Sequence, residues 1–145
     1  MKKEPSSCSW PTQANMIHYH DTEWGVPVHD DRRLFVFLIR EGAQAGLSWQ
    51  TVLNKRQNYR AALDQFEVEK ISRYDDRKVA ELLANPGIIR NRLKIAATIQ
   101  NAKAFLKVRE EFGSFDNYLW RFVDGKPIVN HRRSLKEVPA RTAIS

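Results

Sequence analysis

Apolar residues recur every three or four positions through most of this chain, while stretches that alternate apolar with polar are scarce. That period belongs to helices buried on one face, since a half-buried strand repeats every two residues. The chain therefore reads as all-α. Asp30 and Asp31 can cap a helix running to about Ala45, with Leu34, Leu38, Glu41 and Ala45 on one stripe and Gly46 ending it. Ser48 caps a second helix, whose Val52, Tyr59, Leu63 and Phe66 share a face interrupted by Arg56, and a short helix over Val68 to Ser72 follows. Asp75 caps another, carrying Val79, Leu82 and Leu83. Asn85-Pro86-Gly87 must stop it, because proline drives the preceding residue out of helical conformation and Gly87 permits positive φ. The next helix begins near Arg90 and shows Ile95, Ile99, Ala102 and Leu106 before Gly113. A last helix is expected over Asp116 to Val123, then a turn at Asp124-Gly125-Lys126-Pro127 and a short strand at Ile128-Val129. Residues ahead of Asp30 are expected to be irregular.

A length of 145 residues allows one domain with a real core and is short for two. We expect a single domain over 1–145, with 1–7 and about 131–145 disordered. No apolar run reaches the ~18 residues a membrane span needs, and Met-Lys-Lys-Glu-Pro-Ser-Ser is not followed by the apolar stretch of a secretory signal. A cytoplasmic, monomeric protein is expected. Its 24 Lys plus Arg against 17 Asp plus Glu leave a net charge of +7, which favours a polyanionic partner such as nucleic acid. A basic protein that is merely soluble fits the charge equally well. The single cysteine, Cys8, excludes an intrachain disulfide.

Three groups of residues could carry chemistry. Glu41 falls where its helix should present an apolar residue, so its carboxylate either faces inward and needs partners or sits at a solvated boundary. Around it in sequence stand Tyr19, Trp24 and Trp49, whose flat faces could stack an extruded base and attract a cationic one, or simply fill the core. A second group is Asn85-Pro86-Gly87-Ile88-Ile89, with Arg90, Arg92 and Lys94 opening the next helix. A glycine turn feeding a helix N-terminus exposes backbone N–H groups that bind phosphate oxygens, as in a helix-hairpin-helix; an ordinary helical hairpin with a solvated basic face uses the same residues. The third group is Cys8, His18, His20, His29 and His131, the available soft metal ligands. A closed zinc site takes four ligands, partly as close pairs, and the spacing here favours unliganded residues.

The segments Cys8-Ser9-Trp10, Tyr19-His20-Asp21-Thr22-Glu23-Trp24-Gly25-Val26-Pro27, Glu41-Gly42-Ala43-Gln44-Ala45-Gly46-Leu47-Ser48-Trp49 and Gly87-Ile88-Ile89-Arg90-Asn91-Arg92-Leu93-Lys94-Ile95 together resemble the DNA-3-methyladenine glycosylase I family. They come in that family's order and spacing, and the resemblance runs from Cys8 to about Ser134-Leu135-Lys136-Glu137-Val138-Pro139. It implies the all-α helix-hairpin-helix glycosylase architecture, with a base pocket between two helical lobes, in a form lacking the C-terminal end. Glu41 then matches the pocket carboxylate and catalytic group, Tyr19 the pocket tyrosine and Trp49 the stacking tryptophan, with Trp10 and Trp24 at aromatic positions nearby. Gly87, Ile88, Ile89, Arg90, Arg92 and Lys94 match the DNA-binding hairpin. Cys8 and His20 match two of the family's four zinc ligands; the other two belong to the C-terminal segment not found here, so zinc is expected to be absent or weakly held.

The implied activity is monofunctional base excision from alkylated double-stranded DNA, with no organic cofactor and no lysine nucleophile. A non-catalytic DNA-binding remnant of the family is the alternative.

Overall fold

The computed structural model describes residues 9–145, and every regular element among them is helical. The helices are α1 (Ala14–Thr22), α2 (Asp31–Gln44), α3 (Trp49–Asn54), α4 (Arg56–Ala62), α5 (Val68–Ile71), α6 (Asp76–Ala84), α7 (Arg92–Phe112) and α8 (Phe115–Trp120). The disorder expected of residues 1–7 lies outside the described residues. Ile128-Val129 does not form the expected strand: both side chains are exposed, and no second strand among the described residues offers a ladder. No described helix is long and apolar enough to cross a membrane.

Local signals set most helix starts. The side chains of Asp30, Ser48 and Asp75 accept from the backbone N–H three residues on, at Arg33, Thr51 and Lys78, satisfying donors that the helix itself leaves free. Asn91 does the same for Lys94, so α7 begins at Arg92 and not at Arg90. Ser114 caps α8, which starts one residue ahead of expectation and gives way after Trp120 to a 3₁₀ turn over Arg121–Val123. The helix expected from Ser48 is broken at Lys55 and again after Ala62, yet Val52, Tyr59, Leu63 and Phe66 are all buried. The region ahead of Asp30, expected to be irregular, holds α1. Gln13 stands at its N-cap without a side-chain bond, so no start signal marks it; Met16 and Tyr19, one turn apart, pack it against Leu53.

The core lies where α2, α5 and α7 meet. Phe35, Phe66, Ile71 and Phe105 are essentially inaccessible to solvent, and burying side chains of this size stabilises the fold by roughly 1.5–3 kcal/mol each. Phe105 meets Phe35 edge-on at 5.1 Å and stacks on Phe115 at 4.4 Å, joining α2, α7 and α8 in one aromatic column. On α2 the buried residues are Leu34, Phe35, Val36, Ile39 and Ala43. The core-facing stripe is thus rotated away from the expected Leu34-Leu38-Glu41-Ala45 line, and both Glu41 and Ala45 are exposed.

Between α4 and α5 the chain makes a left-handed turn, with φ of 49°, 58° and 58° at Asp64, Gln65 and Phe66. Such angles cost an L-residue roughly 1–2 kcal/mol. Burial of Phe66 and a 2.5 Å hydrogen bond from the Tyr74 hydroxyl to Asp64 hold the turn in place. Gln65 is exposed, and replacing it with Gly removes the Cβ that makes the angle costly. We expect Gln65→Gly to raise the urea unfolding midpoint, by up to ~1 kcal/mol in stability; a lowered midpoint would contradict the strain.

Burial pushes the phenols of Tyr19, Tyr59 and Tyr74 up, Tyr74 most strongly and with help from its bond to Asp64. A phenol that is harder to ionise when folded contributes stability fully below its unfolded value of about 10, and that contribution falls as pH rises past it. Chemical denaturation from pH 8 upward is expected to show constant stability to about pH 10 and a decline beyond. Stability that stays constant there would contradict buried, neutral phenols.

Candidate active site

Because α2 turns one face to the core, its neighbouring face is free to line something else. Leu34, Phe37 and Glu41 form one wall of a cavity of about 400 Å³ whose other walls are Tyr19 and Trp24, from α1 and its exit, and Trp120 from α8. Gly25 (φ 73°) turns the chain after α1 so that Val28 is buried at the base of α8. There the Trp120 indole N–H donates to Val28 O at 2.8 Å, and His29 stacks on the same indole at 4.4 Å while hydrogen-bonding Asp116 at 2.8 Å. Asp31 completes the joint by accepting from Phe115 N at 3.0 Å and Asp116 N at 2.9 Å. A side chain in the first turn of α2 thus caps α8.

Two carboxylates border the cavity, in different states. Glu23 is half-buried and reaches Arg56 at 3.0 Å and Arg40 at 3.6 Å, so its charge is matched. Glu41 makes no ion pair or hydrogen bond among the described residues and opens to solvent at the cavity wall. Of the two readings open from the sequence, the solvated boundary holds: Glu41 lies on the pocket face of α2, beside the core and not in it. Tyr19 is only 4% exposed. Its phenol is pushed up first by burial, then by Glu41 and Glu23, against a smaller opposing effect of Arg40, so it stands in the cavity as a neutral hydroxyl at neutral pH.

The aromatic residues separate. Trp24 is 57% exposed and lines the cavity. Neither Trp10 nor Trp49 does. Trp10 meets Trp24 edge-on at 5.9 Å and His20 at 5.1 Å, supporting the outer side of that wall. Trp49, the first residue of α3, packs with Tyr19 at 5.3 Å within the small cluster of Met16, Leu53 and Phe37, and its indole nitrogen is buried without a partner. It packs directly behind the pocket tyrosine.

The stretch from Gly87 to Lys94 joins α6 to α7, well apart from this cavity in the chain but tied to the same helix. Lys94 Nζ donates to Ala43 O at 2.8 Å and Ala45 O at 2.6 Å, satisfying carbonyls at the C-terminal end of α2. Lys94 was expected to hold phosphate; its ammonium is already engaged. Gly87 does not take positive φ. Glycine is needed there for space, since an added Cβ would lie 3.0 Å from Asn85 Oδ1 and 3.1 Å from Asn58 Cγ. The N–H groups of Gly87, Ile88 and Ile89 are taken by Asn85 Oδ1, Asn85 O and the Tyr59 hydroxyl oxygen, and Ile88 is buried. Arg90, Arg92 and Leu93 are exposed at the start of α7.

Cys8 lies outside the described residues. His20 shares its Nδ1 with Asp21 at 2.8 Å and stacks on Trp24 at 5.4 Å. Among the described residues no three His, Cys, Asp or Glu side chains gather to hold a metal, so the described donors do not by themselves fit a closed tetrahedral site.

Sequence reasoning assigned no role to Glu23, Phe37 or Trp120. Glu23 stood inside a quoted motif, but its arginines are 17 and 33 residues further on. Trp120 is 92 residues from the carbonyl that orients it, and no local pattern signals that bond.

An all-helical fold bearing an open aromatic cavity, with one carboxylate unpaired among the described residues and one neutral phenol on its walls, offers the features that a flat, positively charged ring would need. A family model for methyladenine glycosylase matches residues 10–145. The DNA-3-methyladenine glycosylase 1 of Escherichia coli (strain K12) is 44% identical over 139 residues, spanning 95% of this chain and 74% of that protein. The DNA-3-methyladenine glycosylase of Haemophilus influenzae is 42% identical over 139 residues, 95% of this chain and 75% of that one. A crystal structure of 3-methyladenine DNA glycosylase I superposes with a TM-score of 0.90 at 47% identity, covering 95% of this chain and 76% of the other. A Staphylococcus aureus 3-methyladenine DNA glycosylase I, described for its recognition of 3-methyladenine, superposes at 0.81 with 37% identity, over 83% of this chain and 65% of its own. The chain belongs to the methyladenine glycosylase family.

Because Lys94 is engaged with two carbonyls, Lys94→Met is expected to destabilise the fold by roughly 1–2 kcal/mol in urea denaturation. An unchanged midpoint would mean that the ammonium contributes nothing to the end of α2.

Proposed function

We propose that the chain is a base-excision DNA glycosylase that hydrolyses the N-glycosidic bond of 3-methyladenine in alkylated double-stranded DNA. The observation that carries this reading is the pairing of an unmatched Glu41 carboxylate with a neutral Tyr19 hydroxyl in a cavity faced by Trp24. Methylation at N3 leaves the adenine of the nucleotide cationic and its glycosidic bond weak, so the leaving base needs no protonation. The cavity's tasks are to receive the flipped base, select its charge and keep bulk water away.

Glu41 accepts from the exocyclic amino group and favours a positive ring; Tyr19 offers a hydroxyl that adds no charge; Trp24 and Trp120 cover the faces. As the C1′–N9 bond breaks, its electron pair goes to the base, which departs neutral. Water adds its oxygen to C1′ and releases a proton, leaving an abasic site. The reaction proposed is direct hydrolysis, without a covalent Schiff-base intermediate. Duplex DNA is held through the exposed Arg90 and Arg92 and the free N–H groups at the start of α7, and Lys94 serves indirectly by fixing α7 to α2.

The zinc ligand pattern that the family resemblance implies enters none of these steps. Cys8 and His20 supply at most half a tetrahedral set, so the purified chain is expected to lose zinc on dialysis without chelator. One zinc per chain retained by elemental analysis would contradict this.

Glu41→Gln keeps the shape of the side chain and removes its charge. Since Glu41 is exposed and unpaired, the fold should melt normally, while single-turnover release of 3-methyladenine falls by 10²-fold or more, on the order of one charge-assisted contact in a water-poor site. Normal release by the folded variant would remove Glu41 from the mechanism.

A further inference from the structure

A second cleft, of about 300 Å³, lies on the far side of Glu23 between α2 and α4. Its charged lining is four arginines, Arg33 and Arg40 on α2 and Arg56 and Arg60 on α4, against the single carboxylate of Glu23. Residues seven apart on α2 and four apart on α4 fall on one face of each helix, so the two pairs converge across the gap. Glu23 can offset one positive charge, and three remain.

The arrangement is costly as it stands. Arg40 has a side chain only 12% exposed, its contact to Glu23 is long at 3.6 Å, and its Nε is buried without an acceptor. Burial depresses its basicity; Glu23 offsets this in part, and the nearby charges of Arg56 and Arg60 add to it. Its other neighbour is the face of Phe37, 5.9 Å away. A guanidinium set apart from water in this way calls for an oxyanion. The Arg33 and Arg60 side chains, at the exposed rim, make no hydrogen bond or ion pair among the described residues.

We propose that this cleft is a phosphate site, separate from the base cavity and sharing with it only the wall formed by Glu23 and Phe37. A phosphate group supplies several acceptor oxygens in the geometry that guanidinium forks match two at a time, and its charge offsets the excess the cleft carries. Arg33 and Arg60 approach from solvent, and Arg40 and Arg56 receive it from below while still holding Glu23. The group is a backbone phosphodiester of bound DNA or a free phosphate; the recognition chemistry is the same.

The test uses the full chain and the double variant Arg33→Gln/Arg60→Gln, which leaves the clamp on Glu23 intact and changes only exposed side chains. Inorganic phosphate is expected to raise the melting temperature of the unaltered chain above chloride at equal ionic strength, in a concentration-dependent way that the double variant loses. If DNA supplies the group, the slope of log affinity against log salt for a duplex also falls by about one in the variant. If free phosphate supplies it, the slope is unchanged while the phosphate-specific stabilisation still disappears. No phosphate-specific rise in the unaltered chain, or a rise that the double variant keeps, overturns the site. None of these readouts involves base excision, so they are decided independently of the glycosylase reading.

Discussion

Phe35 is sealed from solvent and meets Phe105 edge-on, which seats the middle of α2 on the middle of α7. The aromatic cavity and the arginine cleft are both disposed around that contact. With Phe35, Val36, Ile39 and Ala43 committed to the core, helical geometry leaves Leu34, Phe37 and Glu41 to face the base cavity, and Arg33 and Arg40 to face the arginine cleft. Both ends of α2 are also tied. Asp31 caps α8 at one end, and Lys94 satisfies carbonyls at the other. Rotation of α2 by a single residue would move Glu41 out of the cavity and break both ties.

In the proposed function, charge selection follows from leaving one carboxylate, Glu41, without a partner among the described residues. Were Glu23 also free, two negative groups would face the ligand. Arg40 and Arg56 remove Glu23 from that contest, and the Tyr19 phenol stays neutral because its surroundings oppose ionisation. On that reading one negative charge meets a ring carrying one positive charge, with Glu41 as the charged partner and Trp24, Phe37 and Trp120 giving the cavity its shape.

The parts of this arrangement written in local chemistry were legible in the sequence. Caps at Asp30, Ser48 and Asp75 act three residues away, and buried stripes repeat every turn, so most helices and their inward faces could be read directly. Where no local signal exists the reading failed. α1 has no capping side chain, and of the three left-handed residues Asp64–Phe66 only Asp64 is of a type that favours such angles. Glu41 was correctly singled out as a break in an apolar line. Of that line Leu38 packs on the core and Leu34 and Glu41 border the cavity, a distinction that depends on how α1 and α8 pack and not on the helix itself. Lys94 was legible as a cation near a helix start, but its acceptors are 49 and 51 residues earlier, and only the tertiary fold brings them together. Trp49 shows the same limit, since an aromatic residue in a motif may face a ligand or support the residue that does.

The account stands or falls on what leaves the DNA. Duplex DNA treated with a methylating agent, incubated with the chain and filtered, can be assayed by mass spectrometry for free bases and by gel for strand breaks. The account expects free 3-methyladenine in the filtrate and strands that stay intact until the abasic sites are cleaved by alkali. DNA that is bound but yields no free base would contradict it, as would strand cleavage by the chain alone.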